Sequence, residues 1–117
     1  MKALRFYAPG DVRLEDVPEP TCGPREVKIK VKNCSTCGTD VKIRNNGHVN
    51  ITRVTTMGHE VAGEVVEVGA DARGGFQVGD RVQCIAAVPC GECYECIKGW
   101  MEVCQNQTSV GYQYDGG

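Results

Sequence analysis

Apolar and polar positions alternate along most of this chain, and the alternation predicts strands. Leu4 to Tyr7 is a short apolar stretch, and Pro9, Gly10 and Asp11 make a turn. Val12 to Val17 then sets Val, Leu and Val against Arg, Glu and Asp, the period of two that a half-buried strand requires. Pro18, Pro20, Gly23 and Pro24 interrupt regular structure. The clearest strand follows, with Val27, Ile29 and Val31 expected on one face and Lys28, Lys30 and Lys32 on the other. Val61 to Val68, rich in β-branched residues and stopped by Gly69, predicts a second, and Gln77 to Ala87, entered through Gly79-Asp80, predicts a third. Helix is expected only over Thr39–Arg44, with Thr39 or Asp40 as its cap, and over Cys93–Lys98. No 12-residue stretch carries a 3.6-residue period, so the expected fold is mainly β, a small barrel or sandwich with short helices and long Gly/Pro-rich connections.

Length and charge narrow the picture. One domain is the natural reading of 117 residues, with room for a small core but not for a second, cofactor-binding unit. The net charge is −2 and no basic run exceeds two residues, which argues against a nucleic-acid partner. The longest apolar run, Ile85 to Pro89, is far below the roughly 20 residues of a membrane span, and Met1-Lys2-Ala3-Leu4-Arg5 leads into charge instead of an apolar leader. A soluble, cytoplasmic protein without membrane association is expected. Eight cysteines in such a setting are better explained as metal-binding thiols than as disulfides.

Four of them, Cys90, Cys93, Cys96 and Cys104, fall in the spacing C-x2-C-x2-C-x7-C, with Gly91 and Gly99 turning the chain between them. Four thiolates from one short segment suit tetrahedral Zn²⁺, and a site filled by four sulfurs is closed to substrate and therefore structural. A [4Fe–4S] ferredoxin run shares the first three positions. The seven-residue last gap, and Gln105 where that run has Pro, favour zinc. A second set, Cys37-Gly38-Thr39-Asp40 and Gly58-His59-Glu60, offers two of the three protein ligands of a catalytic zinc. Taken alone the pair is weak, because a free Cys and a hydrogen-bonded His are common core residues.

Together these motifs resemble the zinc-containing alcohol dehydrogenases of the medium-chain dehydrogenase/reductase family. Gly58-His59-Glu60-x-x-Gly63, running on to Gly69 and Ala72, is similar to that family's zinc signature. Cys37-Gly38-Thr39-Asp40 resembles its first catalytic-zinc motif, Val78-Gly79-Asp80-Arg81-Val82 the strand before its zinc lobe, and the Cys90–Cys104 run the lobe itself. The opening, from Met1-Lys2-Ala3 through Gly10-Asp11-Val12-Arg13 to Pro18-Glu19-Pro20, looks most like the polyol, butanediol and threonine dehydrogenase branch.

The resemblance implies a GroES-like, partly open barrel spanning residues 1–117 as an incomplete N-terminal catalytic domain, with a zinc lobe at about 88–106. It implies a homo-oligomeric parent, dimer or tetramer, that oxidises a small secondary alcohol or polyol with NAD or NADP, or reduces the ketone. Cys37 and His59 would bind the catalytic zinc, with Glu60 beside it as an exchanging ligand. Thr39 would take the proton-relay position, Asp40 would orient the His59 imidazole, and Cys90, Cys93, Cys96 and Cys104 would hold the structural zinc.

Some positions depart from that pattern. Ser35 and Thr36 replace a Gly and an apolar residue, and Lys42 stands where many members end the relay with His. Cys34-Ser35-Thr36-Cys37 also reads as C-x-x-C, but without the βαβ setting of a thioredoxin-type site. Cys22 and Cys84 are expected as a loop thiol and a small strand hydrophobe, and His48 as a surface residue. No G-x-G-x-x-G follows a strand, and the glycine pairs at 74–75 and 116–117 sit in expected turns, so the dinucleotide (Rossmann) domain is expected outside this chain. The alternative class is a stand-alone structural zinc module without catalysis, which gives no reason for Cys37 and His59 to converge. A zinc-free reductase has no use for eight cysteines, and a GroES co-chaperonin needs neither metal set.

Overall fold

A computed structural model describes residues 1–117. The apolar N-terminal run forms β1 (Lys2–Ala8), which turns at Gly10 into β2 (Asp11–Asp16). The Pro/Gly segment crosses to β3 (Val27–Ser35), and α1 (Gly38–Asn46), β4 (Thr55–Thr56) and β5 (Glu60–Val68) follow. Next come β6 (Arg81–Gln83), β7 (Ala87–Val88), α2 (Tyr94–Ile97), a 3₁₀ turn at Met101–Val103 and β8 (Thr108–Ser109). The strands make three antiparallel sheets, ordered β2-β1-β4, β3-β5-β6 and β7-β8. The mainly-β expectation holds, and no helix is long and apolar enough to cross a membrane.

Three elements differ from the sequence reading, each for a local reason. The alternation of β3 is broken by bulges between Lys28 and Ile29 and between Val31 and Asn33, so Val31 ends up 42 % exposed. The strand expected over Gln77–Ala87 splits into β6 and β7. Its first residues are bent into a turn, in which the Asp80 carboxylate accepts the Gln77 N–H at 2.8 Å and the Gln77 carbonyl accepts the Asp80 N–H at 3.1 Å. The cap of α1 is neither Thr39 nor Asp40. Cys37 occupies that position: its sulfur accepts the Thr39 N–H at 3.3 Å, while the Asp40 carboxylate accepts the Cys37 N–H at 2.9 Å. This is a capping box with a thiol in place of the usual hydroxyl.

The main apolar cluster lies between the first sheet and α1, where Phe6, Ile43 and Met57 pack with Val12, Ile51 and Tyr112. Val61 and Val65 of β5 are also buried. The last eight residues are tied back along β4. The Asp115 carboxylate accepts the Thr56 N–H at 2.7 Å and faces Arg5 at 3.2 Å and Arg53 at 3.3 Å, and the Gly116 N–H reaches the Thr56 carbonyl at 2.8 Å. The tie brings three glycines against Gly58, one residue before His59. A Cβ on Gly116 would collide with the Gly58 carbonyl, one on Gly111 would meet the same oxygen at 2.9 Å, and one on Gly58, whose φ is +103°, would meet Cys34 Sγ at 2.7 Å.

Two outcomes follow from this tie. Gly116→Ala lowers stability by about 2 kcal/mol in denaturant titration, since only backbone is available to move aside. Burial alone would raise the Asp115 carboxyl, but the Thr56 N–H and the Arg53 and Arg5 guanidiniums outweigh it and hold the group below the ordinary carboxylate value. A carboxyl lowered by folding stabilises above its unfolded pKa and loses that effect as pH falls through its folded value. Asp115→Asn therefore melts below wild type at neutral pH, by about 1–2 kcal/mol for the weakened hydrogen bonds, and the gap closes under acid conditions. Paired thermal melts across the acid range measure it.

Candidate metal centres

The stretch between β7 and β8 forms a small lobe whose chain path converges four sulfurs. Cys90 follows β7, Cys93 caps α2, Cys96 lies within it, and Cys104 ends the 3₁₀ turn. Cys90 Sγ and Cys96 Sγ are 3.9 Å apart, as are Cys93 Sγ and Cys104 Sγ, and all four sulfurs lie within 4.8 Å of one another. Four sulfurs at the zinc–thiolate bond length of about 2.3 Å stand about 3.8 Å apart in a tetrahedron, so the spacing of these sulfurs suits one zinc ion. A four-iron cluster, with one sulfur on each iron, needs a wider spread.

The proton balance of the lobe also calls for a cation. The Glu92 and Cys93 N–H groups lower the Cys90 thiol to about 6, whereas burial and the neighbouring sulfurs of Cys93, Cys104 and Cys90 push Cys96 up to about 12. Four thiolates gathered so closely would repel one another, and a bound cation would offset that charge.

The second constellation joins α1 to the start of β5. Cys37 Sγ lies 3.3 Å from His59 Nε2, and Asp40 Oδ1 lies 3.4 Å from His59 Nδ1. The His59 and Asp40 side chains are each only 11 % exposed. Because Asp40 also accepts the Cys37 N–H, one carboxylate fixes both the ring and the turn that carries the thiol. With its proton on Nδ1, on the side of the Asp40 carboxylate, the imidazole has its Nε2 lone pair facing Cys37, the arrangement in which imidazole binds a metal. Cys37, Asp40 and His59 come within 4.8 Å as a group, and a single zinc fits between the Cys37 sulfur and the His59 nitrogen.

The other residues singled out from the sequence fall around this centre. Glu60 is the first residue of β5 and exposed, and its carboxylate is not among the converging donors. Thr39 is half-buried in the first turn of α1, and Lys42 is exposed on the same helix. Cys34 is half-buried with Sγ beside Gly58, and burial raises its thiol. Cys22 rests against carbonyls of its own loop, the nearest being Glu26 O at 3.4 Å, and Cys84 is raised by burial just after β6. His48 is exposed, as expected, with Nδ1 accepting the Asn50 N–H at 3.2 Å. Tyr112 was not singled out. Its ring lies 6.0 Å from that of His59, and nothing in its Gly-rich surroundings marks it.

Comparison with known proteins agrees with this architecture. The family model described as the alcohol dehydrogenase GroES-like domain matches residues 23–117. A sorbitol dehydrogenase of Halalkalibacterium halodurans is 40% identical over 119 residues, covering 99% of this chain and 34% of that protein. An L-threonine 3-dehydrogenase of Pyrococcus furiosus is 47% identical over 104 residues, covering 86% and 29%. Among solved structures, a chain of Sinorhizobium meliloti 1021 ascribed to the zinc-binding dehydrogenases and bound to NADP superposes with a TM-score of 0.89 at 34% identity, covering 99% of this chain and 33% of that one. The chain thus spans about a third of the length of the curated relatives it matches. With a family model over four-fifths of its residues, a matching fold and two cysteine-based centres in place, the chain belongs to the zinc-containing alcohol dehydrogenase family, as its GroES-like domain.

Proposed function

We propose that this chain is the zinc-bearing part of the catalytic domain of an NAD- or NADP-linked dehydrogenase acting on a small secondary alcohol or polyol, or on the matching ketone. The observation that carries the proposal is the convergence of Cys37 Sγ and His59 Nε2, with Asp40 behind the ring. A structural zinc module would need the lobe alone and gives no reason for this second, half-buried donor pair.

Cys37 and His59 would hold the catalytic zinc, with Glu60 beside them as an exchanging ligand. Cys90, Cys93, Cys96 and Cys104 would hold the structural one. A zinc at Cys37 and His59 supplies Lewis acidity toward a substrate oxygen. Asp40 keeps the imidazole proton on Nδ1 and so keeps Nε2 free to coordinate. The Thr39 hydroxyl, in the turn that Cys37 caps, would relay the alcohol's proton toward solvent, taking it while giving up its own. NAD or NADP binds in the part of the relatives' length that this chain does not span, consistent with the lack of a glycine-rich dinucleotide loop here. The relatives named as acting on sorbitol and threonine support a substrate with a secondary hydroxyl.

Metal analysis of the purified chain tests this. Two zincs per chain are expected in wild type and one in Cys37→Ser/His59→Ala, with no iron in either. A single zinc in wild type, or the same content in both proteins, overturns the catalytic assignment. For the lobe, Cys104→Ser removes one of four thiolates. It is expected to release the structural zinc to a chelator at least 100-fold faster and to lower the melting temperature, while the Cys37–His59 pair retains its metal.

A further inference from the structure

We propose that Tyr112 is a positioning residue for His59: its ring braces the imidazole and so sets the affinity of the Cys37–His59 centre for metal. This rests on the zinc reading given above.

The two ring nitrogens of His59 are engaged at the edges, Nδ1 toward Asp40 and Nε2 toward Cys37. Contacts at the edges fix where the ring points but leave it free to rock about the line joining them. Tyr112 supplies the missing restraint, with its ring centroid 6.0 Å away and inclined at 53°. Tyr112 is itself held on several sides. Its ring packs against the Phe6, Ile43 and Met57 cluster, and His48 meets it edge-on at 4.8 Å. Its carbonyl accepts the hydroxyl of fully buried Thr55 at 3.2 Å.

The contacts also bridge both halves of the centre. Ile43 lies one turn beyond Asp40 on α1, and Met57 precedes His59 by two residues. Tyr112 therefore spans the helix carrying Cys37's partner carboxylate and the segment carrying the imidazole. Its phenol is raised by burial first, then by Asp40 and Cys37, which places the side chain in the electrostatic reach of both. The work done here belongs to the ring and not the hydroxyl, for which the structure gives no hydrogen-bond partner.

The test uses the full chain with the lobe loaded with Zn²⁺ and Co²⁺ titrated into the second centre, read from the thiolate-to-cobalt absorption of Cys37. Tyr112→Phe keeps the ring and is expected to bind Co²⁺ within twofold of wild type. Tyr112→Leu is expected to bind about tenfold more weakly, the scale found when a ligand's outer support is removed. A merely structural role would lower thermal stability and loosen the lobe as well, so lobe zinc content and the amide fingerprint of β3 and β5 are measured alongside and expected unchanged. Leu binding within twofold of wild type, or Phe weakening as much as Leu, overturns the proposal. Wild type showing no thiolate–cobalt band overturns the zinc reading and this inference with it, a result distinct from either. Should the Leu variant fail to fold, ring-to-ring nuclear Overhauser contacts between Tyr112 and His59 in the wild-type chain decide: their presence is expected, and their absence overturns the proposal.

Discussion

The structure depends on two stretches of backbone passing close beside Gly58 with no side chain between them. The Gly58 carbonyl faces Gly111 and Gly116, and Gly58 itself turns through a positive φ next to Cys34. Close approach of main chains is open only to glycine, and here it fixes the direction in which the chain enters β5. His59 is the first side chain after that crossing, so its aim is set by packing of backbone and not by a flexible loop. The Asp115 carboxylate, shared among the Thr56 N–H and two guanidiniums, holds the crossing closed from outside.

The two candidate centres are built in different ways. In the lobe the four sulfurs come from 15 consecutive residues, 90–104, so little chain has to be closed, and an ion held there would replace the apolar core that so short a segment cannot build. The large exposed side chains Tyr94, Ile97 and Trp100 show how little apolar burial the lobe achieves by itself. The Cys37–His59 centre draws its ligands from residues 22 apart and sits on rigid elements, a helix start and a strand start. Such placement holds the donor pair in a fixed geometry.

What was legible in the sequence was local. The Val/Lys run marked the strand β3 but not its facing, the β-branched run marked β5, and the cysteine spacing picked out four sulfurs that the fold brings together. The Cys37 and His59 motifs pointed to each other only through their resemblance to known zinc dehydrogenases. The rest was decided by partners far away in sequence. The tie between Asp115 and Arg5 spans 110 residues and that between Thr55 and Tyr112 spans 57, and no periodicity encodes either. The bulges of β3 arise because it must match the register of β5, and the break before β6 arises because Asp80 prefers the Gln77 N–H to the ladder. A thiol as helix cap was passed over because Thr39 and Asp40, both better cap formers, lie within three residues.

That cap joins two equilibria. The sulfur that receives the first free N–H of α1 is the one that faces His59, so the turn that starts the helix and the donor that meets a cation are one atom. A thiolate is favoured at the helix N-terminus, and an ordered first turn presents it in place, whereas a dication bound there would offset part of that charge. Helix initiation and ion capture would therefore be linked through one sulfur, each changing the other by the same factor.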